Sequence, residues 1–292
     1  MSSSKDIIVS IAVTGATGLL GTLVVNGLLE TQPPQSIVAI VRDPAKAALL
    51  AAKGVQVRQA TYEDSGALES ALAGVDTLLL VSSSEVGHRV QQHTNVVNAA
   101  KSAGVERIVY TSAAKADTST LILAPEHKAT EAVIKESGIP YTILRNNWYT
   151  ENYAAQVDEA RRTGAITSSV GNGKVASASR ADFAAAAVAV LTGMGHENKA
   201  YELTGDHAWD FNELATAAGE ILGTDVVYNS VSPDEMSESL IQAGLPEGTV
   251  GFIVALNRDI AEGTLAEATS DLRTLIGRPT TALVDGLRAT IA

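Results

Sequence analysis

The chain has 292 residues, 46% of them hydrophobic and 18% charged, a globular composition long enough for one large domain or two modest ones. Its 21 Lys and Arg against 33 Asp and Glu leave a formal charge of −12, the wrong sign for a nucleic-acid groove or an anionic membrane surface as the main partner. There is no cysteine, which excludes disulfides, thiolate nucleophiles, iron–sulfur clusters and cysteine zinc sites, and fits a reducing compartment.

Residues 1–6 are Ser-rich and lack the basic-then-apolar order of a signal peptide, and the most apolar stretch, 183–191, is too short to cross a bilayer. The expectation is a soluble, cytoplasmic protein. From residue 7 onward, β-branched runs alternate with helical stretches. Strands are expected at 7–14, 37–42, 55–59, 77–82, 107–112 and 141–145, several of them continuous apolar runs as in buried parallel strands. Helices are expected between them at 19–29, 44–53, 65–73, 89–103 and 125–137. Gly54, Gly74, Gly104 and Gly138 stand where helix C-terminal caps belong, and Asp43 before Pro44 stands where an N-cap belongs. Strands linked through helices in this order imply an α/β fold built on a doubly wound parallel sheet.

Past Asn147 the rhythm loosens. Residues 149–163 read as helix, 164–174 as a Gly- and Ser-rich loop with one short strand, and 181–191 as a buried helix. A late strand is expected at 201–204 and another at 226–230, with helices at 214–222 and 233–242. Asp210 with Glu213 has the spacing of a capping box ahead of the first of these helices.

The strongest local signal is Thr14-Gly15-Ala16-Thr17-Gly18-Leu19-Leu20-Gly21, which follows an apolar strand and opens a helix. The first glycine allows a tight turn, the second lets a pyrophosphate approach the backbone, and the third lets the helix pack closely. The second strand then ends at Arg42, with Lys46 one turn into the next helix. A guanidinium there suits a ribose 2′-phosphate, so NADP(H) is expected in preference to NAD(H), and Asp43 is read as the N-cap rather than a ribose ligand. Other ligand contacts are expected from the polar ends of later strands: Ser82, Ser83 and Ser84, then Thr111, then Asn146 and Asn147.

Four runs carry a resemblance beyond the glycine turn. They are GATGLLG at 15–21, VAIVRDPAK at 38–46, LLLVSSSEVG at 78–87 and YTILRNNWYTENY at 141–153. With LIGRPTT at 275–281 they resemble the NmrA-like branch of the atypical short-chain dehydrogenase/reductases, and within it the members that reduce quinones and triphenylmethane dyes. The likeness covers nearly the whole chain. It implies a Rossmann domain over 1–155 and a mainly substrate-binding domain over 156–292, with the helix at 181–191 packing back on the first. It also implies an adenine-side contact near Tyr62, and a small-molecule electron acceptor stacked near Asn147 and Trp148. By their own chemistry the rings of Trp148 and Tyr149 suit stacking on an aromatic acceptor and equally suit filling the interdomain core.

None of the seven tyrosines has Lys four residues later, so the Tyr-x-x-x-Lys acid of ordinary short-chain dehydrogenases is absent. Hydride addition to a quinone gives a delocalised, weakly basic anion that water can protonate, and a cationic dye needs no proton at the accepting carbon. The expected activity is therefore NADPH-dependent hydride transfer to quinones or similar electron-poor acceptors. A stereoselective carbonyl, imine or dye reductase is the alternative on the same scaffold. A non-catalytic NADP(H)-binding redox sensor is the alternative of another class. Asn147, His127 and Lys128 are the candidate catalytic residues, the last two from their place at the start of a helix after the fifth strand. No metal site is expected, and the protein is expected to act without membrane or nucleic acid, as a monomer or homodimer.

Overall fold

A computed structural model describes residues 9–291. The first two residues of the first expected strand lie outside that range. The elements run β1 (Ile11–Thr14), α1 (Leu19–Leu28), β2 (Ile37–Val41), α2 (Ala48–Ala52), β3 (Gln56–Gln59), α3 (Ser65–Leu72), β4 (Thr77–Leu80), α4 (Arg89–Ala103), β5 (Arg107–Ala113), α5 (Ala124–Glu136) and β6 (Tyr141–Asn146). They continue with α6 (Ala154–Thr163), β7 (Ala165–Ser168), β8 (Lys174–Val175), α7 (Arg180–Thr192), β9 (Lys199–Leu203), β10 (Trp209–Asp210), α8 (Phe211–Leu222), β11 (Val227–Ser230), α9 (Pro233–Gln242), α10 (Glu247–Ala261), α11 (Asp271–Ile276) and α12 (Leu283–Ile291).

Seven strands form one sheet in the order β3-β2-β1-β4-β5-β6-β9. The β1–β2, β1–β4, β2–β3 and β4–β5 pairs are parallel, with Ile11 beside Ile37 on one side and Thr77 on the other. Asn198 donates to the Tyr141 carbonyl and Asn147 to the Leu203 carbonyl, so β6 and β9 also advance together. Strands β1, β2 and β4 are buried along their whole length, which is why they are apolar except for Thr14 at the end of β1 and Thr77 at the start of β4; β3, at the sheet edge, reads QVRQ and stays partly exposed. The strand order reverses between β1 and β4, the switch point at which such sheets leave a crevice beyond their carboxyl ends.

The helix ends follow local chemistry. Asp43 accepts from Ala45 N–H, Asp210 and Glu213 close the expected capping box, and Ser232 with Glu235 forms a second one. Gly104 caps α4 in the left-handed region at φ 77°. Three expectations need adjusting. The helix expected at 44–53 begins as a 3-10 turn, Pro44–Ala47, because Lys46 N–H bonds back only three residues to Asp43 O. The one at 149–163 likewise opens as a 3-10 turn, Thr150–Tyr153. The loop expected at 164–174 holds two short strands rather than one, since β7 pairs with β11 and β8 with β10. Helices α10, α11 and α12 had no counterpart in the patterning; α10 carries Gly248 and Gly251, which weaken a helical signal.

The chain packs as two compact units, each drawn from separate stretches. The first holds the described residues up to Ser112, with Glu126–Leu144 and Ala184–Tyr201. Its core joins β1, β2, β4 and β5 to α3 and α4 through residues such as Val38, Leu72, Leu78, Val96 and Ile108. Within it, Val188 of α7 presses on Gly27 of α1, where a Cβ would sit 3.0 Å from Val188 Cγ2. The second unit holds Ala113–Pro125, Arg145–Phe183 and the described chain from Glu202 onward. Its separate core gathers Tyr153, Trp209, Phe211, Leu214, Ile260 and Leu287.

Candidate functional site

The glycine turn sits at the switch point, between the end of β1 and the start of α1. Gly15 takes φ 58°, a left-handed conformation that a side chain would strain, and its carbonyl accepts Gly18 N–H at 2.8 Å. Gly21 is needed for a different reason. A Cβ there would lie 2.2 Å from Gly15 O and 2.9 Å from Ala16 Cα, so the helix can approach the turn only without one. Helix α1 has no side-chain cap on its first N–H groups and no acidic residue in its first turn. Its positive end is therefore left to an external anion.

Arg42 leaves β2 with an exposed side chain and pairs with Glu85 at 3.4 Å. Lys46 is exposed on the following turn, and Asp43 is occupied as the cap. Tyr62 is placed differently from what a ligand contact through its hydroxyl requires. That hydroxyl donates to Val81 O at 2.8 Å and lies 2.6 Å from Thr14 Oγ1, tying the ends of β1 and β4 together, and burial pushes its pKa up. Only its ring is left for an adenine.

The loop after β4 carries Ser82, Ser83 and Ser84, and it is strapped from below. Ser82 N–H donates to Thr111 Oγ1 at 2.9 Å, and Ser83 N–H donates to His93 Nε2 at 2.9 Å. Since Nε2 accepts, the ring proton is on Nδ1, 3.0 Å from Thr130 Oγ1. Arg89, almost fully buried, donates through Nε to Ser83 O at 2.7 Å and pairs with Glu126 at 3.0 Å; Glu126 also accepts Gly87 N–H at 2.7 Å. Burial and the Arg89 charge pull His93 down to about 3, so it is a neutral strut. Sequence patterning missed Arg89, His93, Glu126 and Thr130, whose roles depend on contacts between α4, α5 and the loop.

The two expected proton donors on α5 are also placed. His127 is buried, its Nδ1 lies 2.8 Å from Tyr110 OH, and burial with Arg89 and His93 nearby pulls it down to about 3. At neutral pH the ring is therefore uncharged and is not an imidazolium acid. Lys128 is exposed on the next position.

In the second unit, Asn147 spends its amide on the protein. Nδ2 donates to Leu265 O at 3.2 Å, and Oδ1 accepts Trp148 N–H at 2.7 Å. The ring of Tyr149 lies edge-on to Phe183 at 5.3 Å and under the Arg180 guanidinium at 4.8 Å. Trp148 is half-buried against the second core. Asn146 differs from these, because its buried Oδ1 has no hydrogen-bond partner within the protein. Arg145, beside it at the end of β6, pairs with Asp117 and Glu202 at 2.9 Å each.

Among the described residues no cluster of three or more His, Asp or Glu could hold a metal ion, and no helix is long and apolar enough to cross a membrane. What the geometry fits is a dinucleotide: a side-chain-free turn, an uncapped helix N-terminus and an exposed guanidinium at the next strand end.

Comparisons with known proteins agree. A family model described as NAD(P)H-binding matches residues 15–193. The chain is 50% identical over 277 residues to quinone oxidoreductase 2 of Escherichia coli (strain K12), covering 95% of this chain and 97% of that protein. The solved complex of the Escherichia coli NADPH-dependent quinone oxidoreductase with NADPH superposes with a TM-score of 0.93 at 49% identity, covering 97% of this chain and all of that one. Citrobacter sp. triphenylmethane reductase complexed with NADP(H) superposes with a TM-score of 0.90 at 42% identity, covering 96% of this chain and all of that one.

Proposed function

The chain belongs to the NAD(P)H-binding family, and from that premise we propose that it is an NADPH-dependent oxidoreductase passing hydride to quinones or similar delocalised, electron-poor acceptors. The observation that carries this reading is the glycine turn at the switch point, present in a chain that matches a quinone oxidoreductase over almost all of its length.

The bound dinucleotide supplies the hydride from its reduced pyridine ring. The protein's part is to hold and orient it. Gly15, Ala16, Thr17, Gly18, Leu19, Leu20 and Gly21 hold the pyrophosphate at the head of α1. Arg42 and Lys46 hold the 2′-phosphate, and the Tyr62 ring borders the adenine. Ser82, Ser83, Ser84 and Thr111 serve the nicotinamide side on a loop fixed by Arg89 and His93. Asn146, with its partnerless oxygen, can accept from a ligand N–H. Acceptor binding is assigned to Trp148 and Tyr149 and mainly to residues 156–292, with nucleotide binding mainly in 1–155. Asn147, whose amide is internally satisfied, acts as a positioning residue. Of the two candidates on α5, the uncharged His127 ring is a poor acid and the exposed Lys128 stays as the candidate donor, while an acceptor whose reduced form stays delocalised needs none. A cytoplasmic location and a monomeric or homodimeric state, with no nucleic-acid partner, complete the proposal; the cysteine-free composition and the charge of −12 support it.

The test is NADPH consumption against benzoquinones, naphthoquinones, a triphenylmethane dye and activated ketones. Quinone turnover is expected. NADPH binding without oxidation by any acceptor would mark a sensor, and turnover of ketones alone a carbonyl reductase. Arg42→Glu should raise the KM for NADPH about tenfold or more while NADH use survives, since reversing the charge costs at least one charge-assisted contact. An unchanged KM for NADPH removes the 2′-phosphate assignment.

A further inference from the structure

We propose that Glu85 sets the coenzyme preference by competing, as an anion built into the chain, with the 2′-phosphate for Arg42. The inference rests on the reading that Arg42 receives that phosphate.

Topology places the two residues on either side of the crevice. Arg42 follows β2 and Glu85 lies in the loop after β4, while β1, whose end is the glycine turn, runs between those strands. The Arg42–Glu85 pair, 3.4 Å between Nη1 and Oε1, therefore bridges across the carboxyl end of β1. A 2′-phosphate on this face meets a guanidinium that already has a carboxylate partner.

Glu85 is held in that role. Its second oxygen, Oε2, accepts from Gln92 Nε2 at 2.8 Å, and the same nitrogen donates to Glu63 Oε1 at 2.5 Å. Gln92 is buried at 4% exposure, so its amide is a fixed anchor rather than a mobile surface group. Glu85 N–H also donates to Ser83 Oγ at 3.1 Å. The side chain thus comes to Arg42 with part of its ordering cost already met by the fold. Glu63 adds a second carboxylate on the same amide; the Gln92 hydrogen bond is the main cause that lowers its pKa, and the Arg42 charge is the smallest.

An NADPH phosphate must displace or share this carboxylate. NADH makes no demand on Arg42 and leaves the pair undisturbed. Removing the Glu85 charge therefore favours NADPH over NADH. The side chains are 77% and 46% exposed, so water screens the pair and the effect is modest, about two- to fivefold.

The experiment is calorimetric titration of the full chain with NADPH, NADH, 2′,5′-ADP and 5′-AMP. Glu85→Gln keeps the shape and an acceptor for Gln92. It should raise the NADPH-to-NADH affinity ratio and the 2′,5′-ADP-to-5′-AMP ratio about two- to fivefold. In an Arg42→Met background the same substitution should leave both ratios where they are. Ratios that stay level or fall with Glu85→Gln, equal gains for both coenzymes, or a gain that persists without Arg42 would each overturn the proposal. Arg42→Met alone separates phosphate binding from the competition by Glu85. If it leaves NADPH affinity intact, the 2′-phosphate assignment itself fails. If it weakens NADPH binding and Glu85→Gln moves nothing, only the competition fails.

Discussion

A single missing methyl group decides whether the nucleotide turn can exist. With a Cβ at Gly21 placed 2.2 Å from a backbone oxygen, no rotamer change relieves the clash, and the turn or the helix must shift. Gly21→Ala should cost about 1–3 kcal/mol or more in stability and weaken NADPH at least tenfold; denaturant unfolding and coenzyme titration check the two effects. Native-like NADPH affinity in that variant would mean that the turn does not hold the pyrophosphate. The glycine spacing was legible because the turn, its strand and its helix lie within eighteen residues of chain, Ile11 to Leu28. The same locality made Asp43 and the Asp210–Glu213 box legible. His127 was not, since its neutral state comes from burial against Tyr110, seventeen positions away. His127→Ala should lower stability by about 1–3 kcal/mol, from the lost hydrogen bond and packing, yet leave quinone turnover per folded molecule almost unchanged. A collapse of turnover with coenzyme binding intact would restore it as a proton donor.

Helices α4 and α5 act on the loop after β4 as a pair of anchors. Arg89 and His93 on α4 and Glu126 and Thr130 on α5 hold Ser83 and Gly87 from beneath. Arg89→Ala leaves Glu126 without its ion-pair partner and Ser83 O without its donor, so a loss of about 3–5 kcal/mol is expected, with a higher KM for NADPH than for the unmodified protein. A variant with native unfolding midpoints would show the strap to be dispensable. The buried imidazoles add a pH dependence. His93 and His127 fall to about 3 in the folded chain from 6.5 in the unfolded one, so between those values the unfolded state binds more protons. Stability must then fall as pH drops below about 6.5, by about 1.4 kcal/mol per pH unit for each histidine. Urea unfolding between pH 7 and 5 tests this, and His93→Gln should flatten the slope. A flat profile in the unmodified protein would contradict the neutral burial of both rings. Element existence was legible here, since α4 begins and ends where patterning put it, whereas its inward face was not: Arg89, Gln92 and His93 are polar residues that a hydrophobic period reads as solvent-facing.

Two separate cores give the molecule two compact units, and only the first contains the glycine turn, Arg42 and the serine loop. A ligand that binds the folded chain and not the unfolded one must stabilise it by mass action. NADPH at a hundred times its Kd should add about 2.7 kcal/mol, seen as a rise in Tm that NADH at equal concentration does not match. Equal shifts for the two coenzymes would argue against a 2′-phosphate contact. By itself the sequence determined the alternation of strand and helix through residue 146, the glycine turn, the caps and the family resemblance, because each of these is written within a few turns of chain. Only the tertiary structure decided that β9 pairs beside β6, that Asn147 is spent on Leu265 across 118 positions, and that Glu85 meets Arg42 over the end of β1. Those outcomes depend on which distant surfaces pack together, and a local pattern of side chains carries no information about partners that loop closure alone brings within reach.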